Sequence, residues 1–230
     1  MKEFYKKKKV RKPKYHNGTK DIPLYKNFKP KTPNQENYVI SIAENLVTLC
    51  RGPAGTGKTA TAVGIACEHL CMGKVNNIVI TRPVVETGSV GLGFLPGDLE
   101  DKMDPYLRPI FDELHLYLGF DEVECYLESG VIEISPLEYM RGRNFHNTFV
   151  ILDEAQNADK KQLKMLLTRI GRNSKCIVNG DITQSDLDIS GYEFVWKRLK
   201  NCPQVGLIKL TTEDIIRSPH LAQIISRLED

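Results

Sequence analysis

Residues 52 to 59 read Gly52, Pro53, Ala54, Gly55, Thr56, Gly57, Lys58 and Thr59, the spacing G-x-x-x-x-G-K-[ST], one residue after the apolar run 46–50. Glycines at these intervals suit the wrapping of a polyphosphate, because without a Cβ the backbone can turn several N–H groups inward toward one anion. Lys58 would then reach the β- and γ-phosphates as a point charge, and the Thr59 hydroxyl would ligate Mg2+. A helix opening near Gly57 would aim its positive end at the same anion. A chance glycine turn before a helix explains the glycines but not the lysine and threonine in register. The expected ligand is a nucleoside triphosphate.

A second constellation lies at Phe149-Val150-Ile151-Leu152-Asp153-Glu154, an apolar strand ending in two carboxylates. In a chain that also carries the phosphate loop, such a strand supplies the other wall of a phosphoryl-transfer site. Asp153 is expected to hold the Mg2+ shell, directly or through water, and Glu154 to orient and deprotonate an attacking water. A helix N-cap would account for one acid but not for the strand before it. A further strand ends in Asn179-Gly180-Asp181-Ile182-Thr183-Gln184, and Gln184 there could sense the γ-phosphate or serve only as a loop residue. Arg217, just before Ser218-Pro219, is placed as an arginine finger would be, with a salt bridge to Glu213 or Asp214 as the plainer reading. Asp188 to Gly191 matches D-x-x-G by chance, since no N-K-x-D element accompanies it.

The elements that must position these residues alternate short apolar strands with longer helical stretches, the pattern of a parallel sheet with crossover helices. Strands are expected at 47–50, 78–81, 131–134, 148–152, 176–178 and 205–210. Helices are expected at 35–45, 58–72, 105–118, 159–169, 192–199 and 219–228, with Gly73, Gly119 and Gly171 as C-terminal stops. At 230 residues and 41% hydrophobic, the chain suits one α/β domain plus a tail. No run of about 18 apolar residues and no secretory pattern is visible, so a cytoplasmic, non-membrane setting is expected. The six cysteines (Cys50, Cys67, Cys71, Cys125, Cys176, Cys202) are scattered without C-x-x-C pairs and read as reduced packing residues.

Charge divides the chain more sharply than its net +3 suggests. Residues 1–31 hold twelve Lys/Arg against two acids, a surplus of +10, and the remainder carries −7. Tyr5, Tyr15, Tyr25 and Phe28 are interleaved with these lysines. That combination suits single-stranded nucleic acid, through counterion release and base stacking. A flexible, solvated tail whose aromatics dock on the body fits equally well. The expected domains are a basic, flexible tail over 1–31 and a P-loop, triphosphate-hydrolysing domain over 32–230.

These residues together resemble the PhoH family, the phosphate-starvation-inducible ATPases related to superfamily 1 helicases. The likeness rests on 52–59, on Thr81-Arg82-Pro83-Val84-Val85-Glu86 and on Leu92-Gly93-Phe94-Leu95-Pro96-Gly97-Asp98-Leu99. It continues through Pro105 to Pro109, Tyr139 to Arg143, Val150 to Asn157, and Gly180 to Gln184. The resemblance implies a RecA-like P-loop NTPase core with a mostly parallel sheet flanked by helices, using ATP and Mg2+. It also implies RNA or single-stranded DNA as a partner and helicase-like activity. Thr32-Pro33-Asn34-Gln35 resembles the family's T-x-x-Q element, which makes Gln35 an adenine reader. Gln184 and Arg217 become γ-phosphate sensor and arginine finger.

The chain departs from the family where Ser218 replaces a frequent histidine and where Ile182 follows Asp181. A nuclease activity is not expected. Because a helicase motor closes ATP between two RecA-like units and this chain supplies one, a homo-oligomer is expected, a ring such as a hexamer, with Arg217 acting in trans. Arg82, Arg141 and Arg143 are candidates for a polymer path, or else partners for the body's surplus acids. A P-loop small-molecule kinase and a regulatory nucleotide-binding protein with little turnover are the alternative functions.

Overall fold

A computed structural model describes residues 23–83, 99–185 and 190–215, with backbone alone for 99–106 and for two short strands, β1 (Tyr15–His16) and β2 (Thr19–Lys20). Arg217, the expected helix 219–228, Val84 to Glu86 of the block 81–86, Leu92 to Asp98 of the block 92–99 and residues 186–189 lie outside the described residues.

Six strands form the main sheet: β3 (Val47–Arg51), β4 (Asn77–Arg82), β5 (Ile132–Pro136), β6 (Thr148–Leu152), β7 (Lys175–Gly180) and β8 (Val205–Lys209). Their order is β5-β4-β6-β7-β3-β8 and every pairing is parallel. The helices are α1 (Pro33–Glu44), α2 (Lys58–Cys71), α3 (Leu99–Leu118), α4 (Phe120–Glu128), α5 (Lys160–Leu167) and α6 (Gly191–Arg198).

The sheet is covered on both faces, as parallel sheets require. Successive strand residues enter opposite cores because side chains alternate across a pleat. Ile78 and Ile80 of β4, and Phe149 and Ile151 of β6, join α1 to α4 in one cluster. Val79, Val150 and Leu152 point the other way, into a cluster with Leu163 and Leu166 of α5 and Tyr192 and Val195 of α6.

Local chemistry sets the helix starts. Thr32 caps α1 by accepting from the Gln35 N–H at 3.2 Å, and Pro33 occupies the first turn, where its missing donor costs nothing. Asp159 and Gln162 close a capping box at α5, with both bonds at 2.8 Å. The start of α2 differs, since Gly57 is its N-cap at φ 83 and no side chain caps it. Its first N–H groups are thus left to the phosphate loop.

Several expectations change; α3, for one, begins at Leu99 and not at 105. Gly119 does not simply end α3: at φ 81 it joins that helix to α4, which was not expected. The boundary at 31/32 also moves. Leu24 and Phe28 pack against the larger core, the Phe28 N–H donates to Glu68 Oε1 at 2.7 Å, and the Tyr25 N–H donates to the Tyr117 carbonyl at 2.9 Å. Residues 23–31 therefore form a strap on the body, and Tyr25 and Phe28 are docking residues there. No helix among the described residues is long and apolar enough to cross a membrane.

Candidate nucleotide site

Three parallel strands deliver the site to one edge of the sheet. The loop 52–57 leaves β3, Asp153 and Glu154 follow β6, and Asp181 to Gln184 follow β7, which lies between the other two. The connection from β3 to β4 skips two places, and that break in strand order is where open α/β sheets bind ligands.

The loop is built by close approach. A Cβ on Gly52 would stand 2.7 Å from the Leu210 carbonyl oxygen and 2.8 Å from Leu210 Cβ, so only glycine lets the loop pass the end of β8. The Thr56 hydroxyl donates to the Pro53 carbonyl at 2.8 Å. Lys58 Nζ donates to the carbonyls of Gly52 at 2.5 Å and Pro53 at 2.9 Å, folding over its own loop.

Thr59 and Asp153 stand side by side. The Thr59 hydroxyl donates to the Asp153 carboxylate at 3.0 and 3.2 Å, which joins the first turn of α2 to the end of β6. Asp153 is 2% exposed, and its backbone N–H continues the ladder onto the Thr81 carbonyl at 2.9 Å. Glu154 follows in the left-handed region at φ 56, a strained position for a non-glycine residue that turns its carboxylate outward.

The residue that holds Glu154 there was not singled out from the sequence. Gln156 Nε2 donates to Glu154 Oε2 at 2.7 Å, while Gln156 Oε1 accepts the Asp181 N–H at 2.9 Å. One buried amide thus ties the two acid-bearing edges together; its only sequence signal was an amide two places after the acids. Gln184 reaches the same edge, where its Nε2 donates to Asp181 Oδ2 at 2.9 Å.

Gln35 is 1% exposed and already engaged at both ends. Its Nε2 donates to the Thr56 carbonyl at 2.8 Å, and its Oε1 accepts the Lys31 N–H at 2.9 Å. The residue expected to read adenine thus fastens the strap to the phosphate loop, and contact with a base would require the 31–35 turn to open. Asp214, also overlooked, stands beside it. This buried carboxylate accepts from Thr32 Oγ1 at 2.5 Å, Asn34 Nδ2 at 2.9 Å and the Thr211 N–H at 2.7 Å. Burial alone would raise its pKa, but these donors outweigh burial and hold the carboxyl below its ordinary value.

Two of the three polymer-path arginines are instead bonded to acids. Arg82 Nη2 lies 2.5 Å from Asp153 Oδ2 and 3.9 Å from Glu154 Oε1. Arg143 pairs with both oxygens of Glu133, which lowers the Glu133 pKa. Arg141 is exposed. Beneath the site, the Tyr38 hydroxyl donates to Asn179 Oδ1 at 2.6 Å, and Asn179 Nδ2 is buried with no hydrogen-bond partner among the described residues.

A doubly covered parallel sheet with a glycine-rich loop, lysine and threonine after one strand and paired acids after another defines a P-loop NTPase core. Comparison with known proteins narrows the class. A sequence profile described as PhoH-like protein matches residues 27–229, and the chain belongs to that family. It is 47% identical over 203 residues to the PhoH-like protein of Bacillus subtilis, covering 87% of this chain and 63% of that one. It is 43% identical over 189 residues to protein PhoH of Escherichia coli K12, covering 80% and 53%. The chain thus spans a little over half the length of these relatives. Among solved structures, the large terminase of a thermophilic bacteriophage is similar in fold, with a TM-score of 0.56 at 9% identity over 86% of this chain and 50% of that one.

Proposed function

We propose that this chain binds ATP with Mg2+ at residues 52–59 and hydrolyses it, acting on single-stranded RNA or DNA as a nucleic-acid-dependent ATPase of helicase-like type. The observation that supports the reading is the Thr59 to Asp153 bond at 3.0 Å, which joins the helix after the phosphate loop to the end of the acidic strand. Thr59 and Asp153 offer hard oxygens, the donor type Mg2+ prefers, so the residues fit this ion. When bound, the ion would neutralise charge on the transferring phosphate.

The chain's own residues would do the rest. Loop N–H groups and the start of α2 wrap the phosphates, and Lys58 exchanges the Gly52 and Pro53 carbonyls for phosphate oxygens. Glu154, held by Gln156, takes the proton of an attacking water. Gln184 turns from Asp181 to the γ-phosphate. Arg217 reaches the site of a neighbouring copy in a ring, and Gln35 selects adenine once the turn before it opens.

The test is ATP hydrolysis by the full chain with and without single-stranded RNA or DNA, across salt concentrations. Stimulation that fades with salt is expected, because phosphate contacts release counterions. Turnover indifferent to polymer would refute the nucleic-acid reading, and bound ATP without turnover would refute hydrolysis. Mixing Arg217→Ala with Glu154→Gln chains should restore part of the activity; assembled mixtures without recovery refute action in trans.

A further inference from the structure

We propose that Arg82 is a resident counter-cation of the metal position, which a divalent ion must displace before it can bind. The inference rests on the metal-nucleotide reading of the site and adds the order in which its charges exchange.

Asp153 is 2% exposed, and a buried carboxylate needs a positive partner or several donors. Arg82 supplies the positive charge: Nη2 sits 2.5 Å from Oδ2 and, at 3.9 Å, also faces Glu154. Among the described residues, Lys58 of the phosphate loop is turned to the carbonyls of Gly52 and Pro53. Two carboxylates therefore share one guanidinium, whose side chain is itself only 13% exposed.

The same oxygens would ligate the metal. Asp153 Oδ2 carries the Arg82 contact, and the Thr59 hydroxyl directs its hydrogen at the carboxylate instead of offering its lone pairs outward. A free divalent ion would thus have to break a buried ion pair and leave the guanidinium beside a second cation. A metal arriving with a triphosphate brings negative charge that the displaced Arg82 can meet. Pro83 follows directly and favours an extended backbone at Arg82, so the displacement falls to side-chain rotation. Arg82 would in this way keep free metal out and admit the metal-nucleotide complex.

The test is Mn2+ binding to the full chain without nucleotide, read by the electron paramagnetic resonance signal of the free ion. Arg82→Gln and Arg82→Ala should bind Mn2+ at least about tenfold more tightly than the unaltered chain, and Arg82→Lys should stay near it. Adding Asp153→Asn to Arg82→Gln should abolish the gain. Thermal melting should show a larger Mn2+-induced rise for Arg82→Gln than for the unaltered chain, a readout that serves even where Arg82→Ala folds poorly.

No gain in either variant overturns the proposal, as does a gain that survives Asp153→Asn. ATP binding by the unaltered chain is measured separately. A gain in Mn2+ affinity without ATP binding sinks the nucleotide reading and leaves the Arg82 assignment intact. ATP binding without the gain sinks the assignment alone.

Discussion

Replacing Asp214 by alanine should destabilise the domain far more than its place in a single 3-10 turn, Thr212–Asp214, suggests. The carboxylate is 1% exposed and accepts from Thr32 Oγ1 at 2.5 Å, Thr211 N at 2.7 Å, Asn34 Nδ2 at 2.9 Å and Thr211 Oγ1 at 3.3 Å. Hydrogen bonds to a charged group each contribute about 1.5–3 kcal/mol, but donors that share one acceptor do not add in full. Water entering the vacated space recovers part of the loss, so a cost of about 3–5 kcal/mol follows for Asp214→Ala. Asp214→Asn keeps the shape and loses the charge, and should cost about 2 kcal/mol. Urea unfolding at pH 7 measures both, with an unchanged slope showing that the same surface is exposed. The pH dependence is an independent check. The folded carboxyl titrates below its ordinary value, so its contribution is complete above the unfolded pKa of about 3.9 and is lost as pH falls through the folded one. The gap between the native chain and Asp214→Asn should therefore narrow on acidification. A cost below about 1 kcal/mol for Asp214→Ala at pH 7, or a gap that widens toward pH 3, would refute the reasoning.

Gly52→Ala would bring its Cβ to 2.7 Å from the Leu210 carbonyl oxygen, about 0.7 Å inside the ordinary limit of 3.4 Å. A loss of about 1–3 kcal/mol is expected, with weakened ATP binding by equilibrium dialysis because the loop must shift. Burial and the nearby Lys74 and Lys175 lower the pKa of His69 to about 4. Its unfolded form takes up a proton at about 6.5 and the folded one does not, so stability should fall by about 1–2 kcal/mol between pH 6.5 and 4 after solvent screening, and His69→Gln should flatten that slope in urea titrations. Arg143→Ala should cost about 0.5–1 kcal/mol, because its pair with Glu133 is half-exposed, and should leave polymer affinity unchanged in filter-binding assays.

The four inner strands were legible because strands buried on both faces read as continuous apolar runs, as in Phe149-Val150-Ile151-Leu152. Helix boundaries were harder. Pro105 reads as a helix start, yet α3 begins at Leu99 and contains both Pro105 and Pro109. Gly119 reads as a stop, and the residues that bury α4, Val123 and Tyr126, repeat at a helical interval just beyond it. The strap was half hidden by its lysines: Phe28 read equally as an aromatic that stacks on bases or docks on the body, and Leu24, four residues before it, was not singled out. Residue types at the site were legible because phosphate chemistry fixes their spacing. Their partners were not, since Arg82 and Asp153 lie 71 residues apart and Thr32 and Asp214 lie 182 apart, distances that only the folded chain closes.

The partners matter because they decide what binding must undo. Lys58 is engaged by the Gly52 and Pro53 carbonyls, Gln35 by Thr56 and Lys31, Gln184 by Asp181, and Arg82 by Asp153. Buried polar groups left without such bonds would cost about 1–3 kcal/mol each, so internal pairing is what lets this sheet edge stay folded around so much charge. The same pairing makes ligand binding an exchange, in which each new bond to phosphate, base or metal replaces an existing one. Only the difference appears as affinity. On the proposed reading, selectivity then comes from ligands that satisfy several displaced groups together: a triphosphate carrying a metal would meet Lys58 and the displaced Arg82 at once, whereas metal alone would displace Arg82 from Asp153 and bring no anion to meet it.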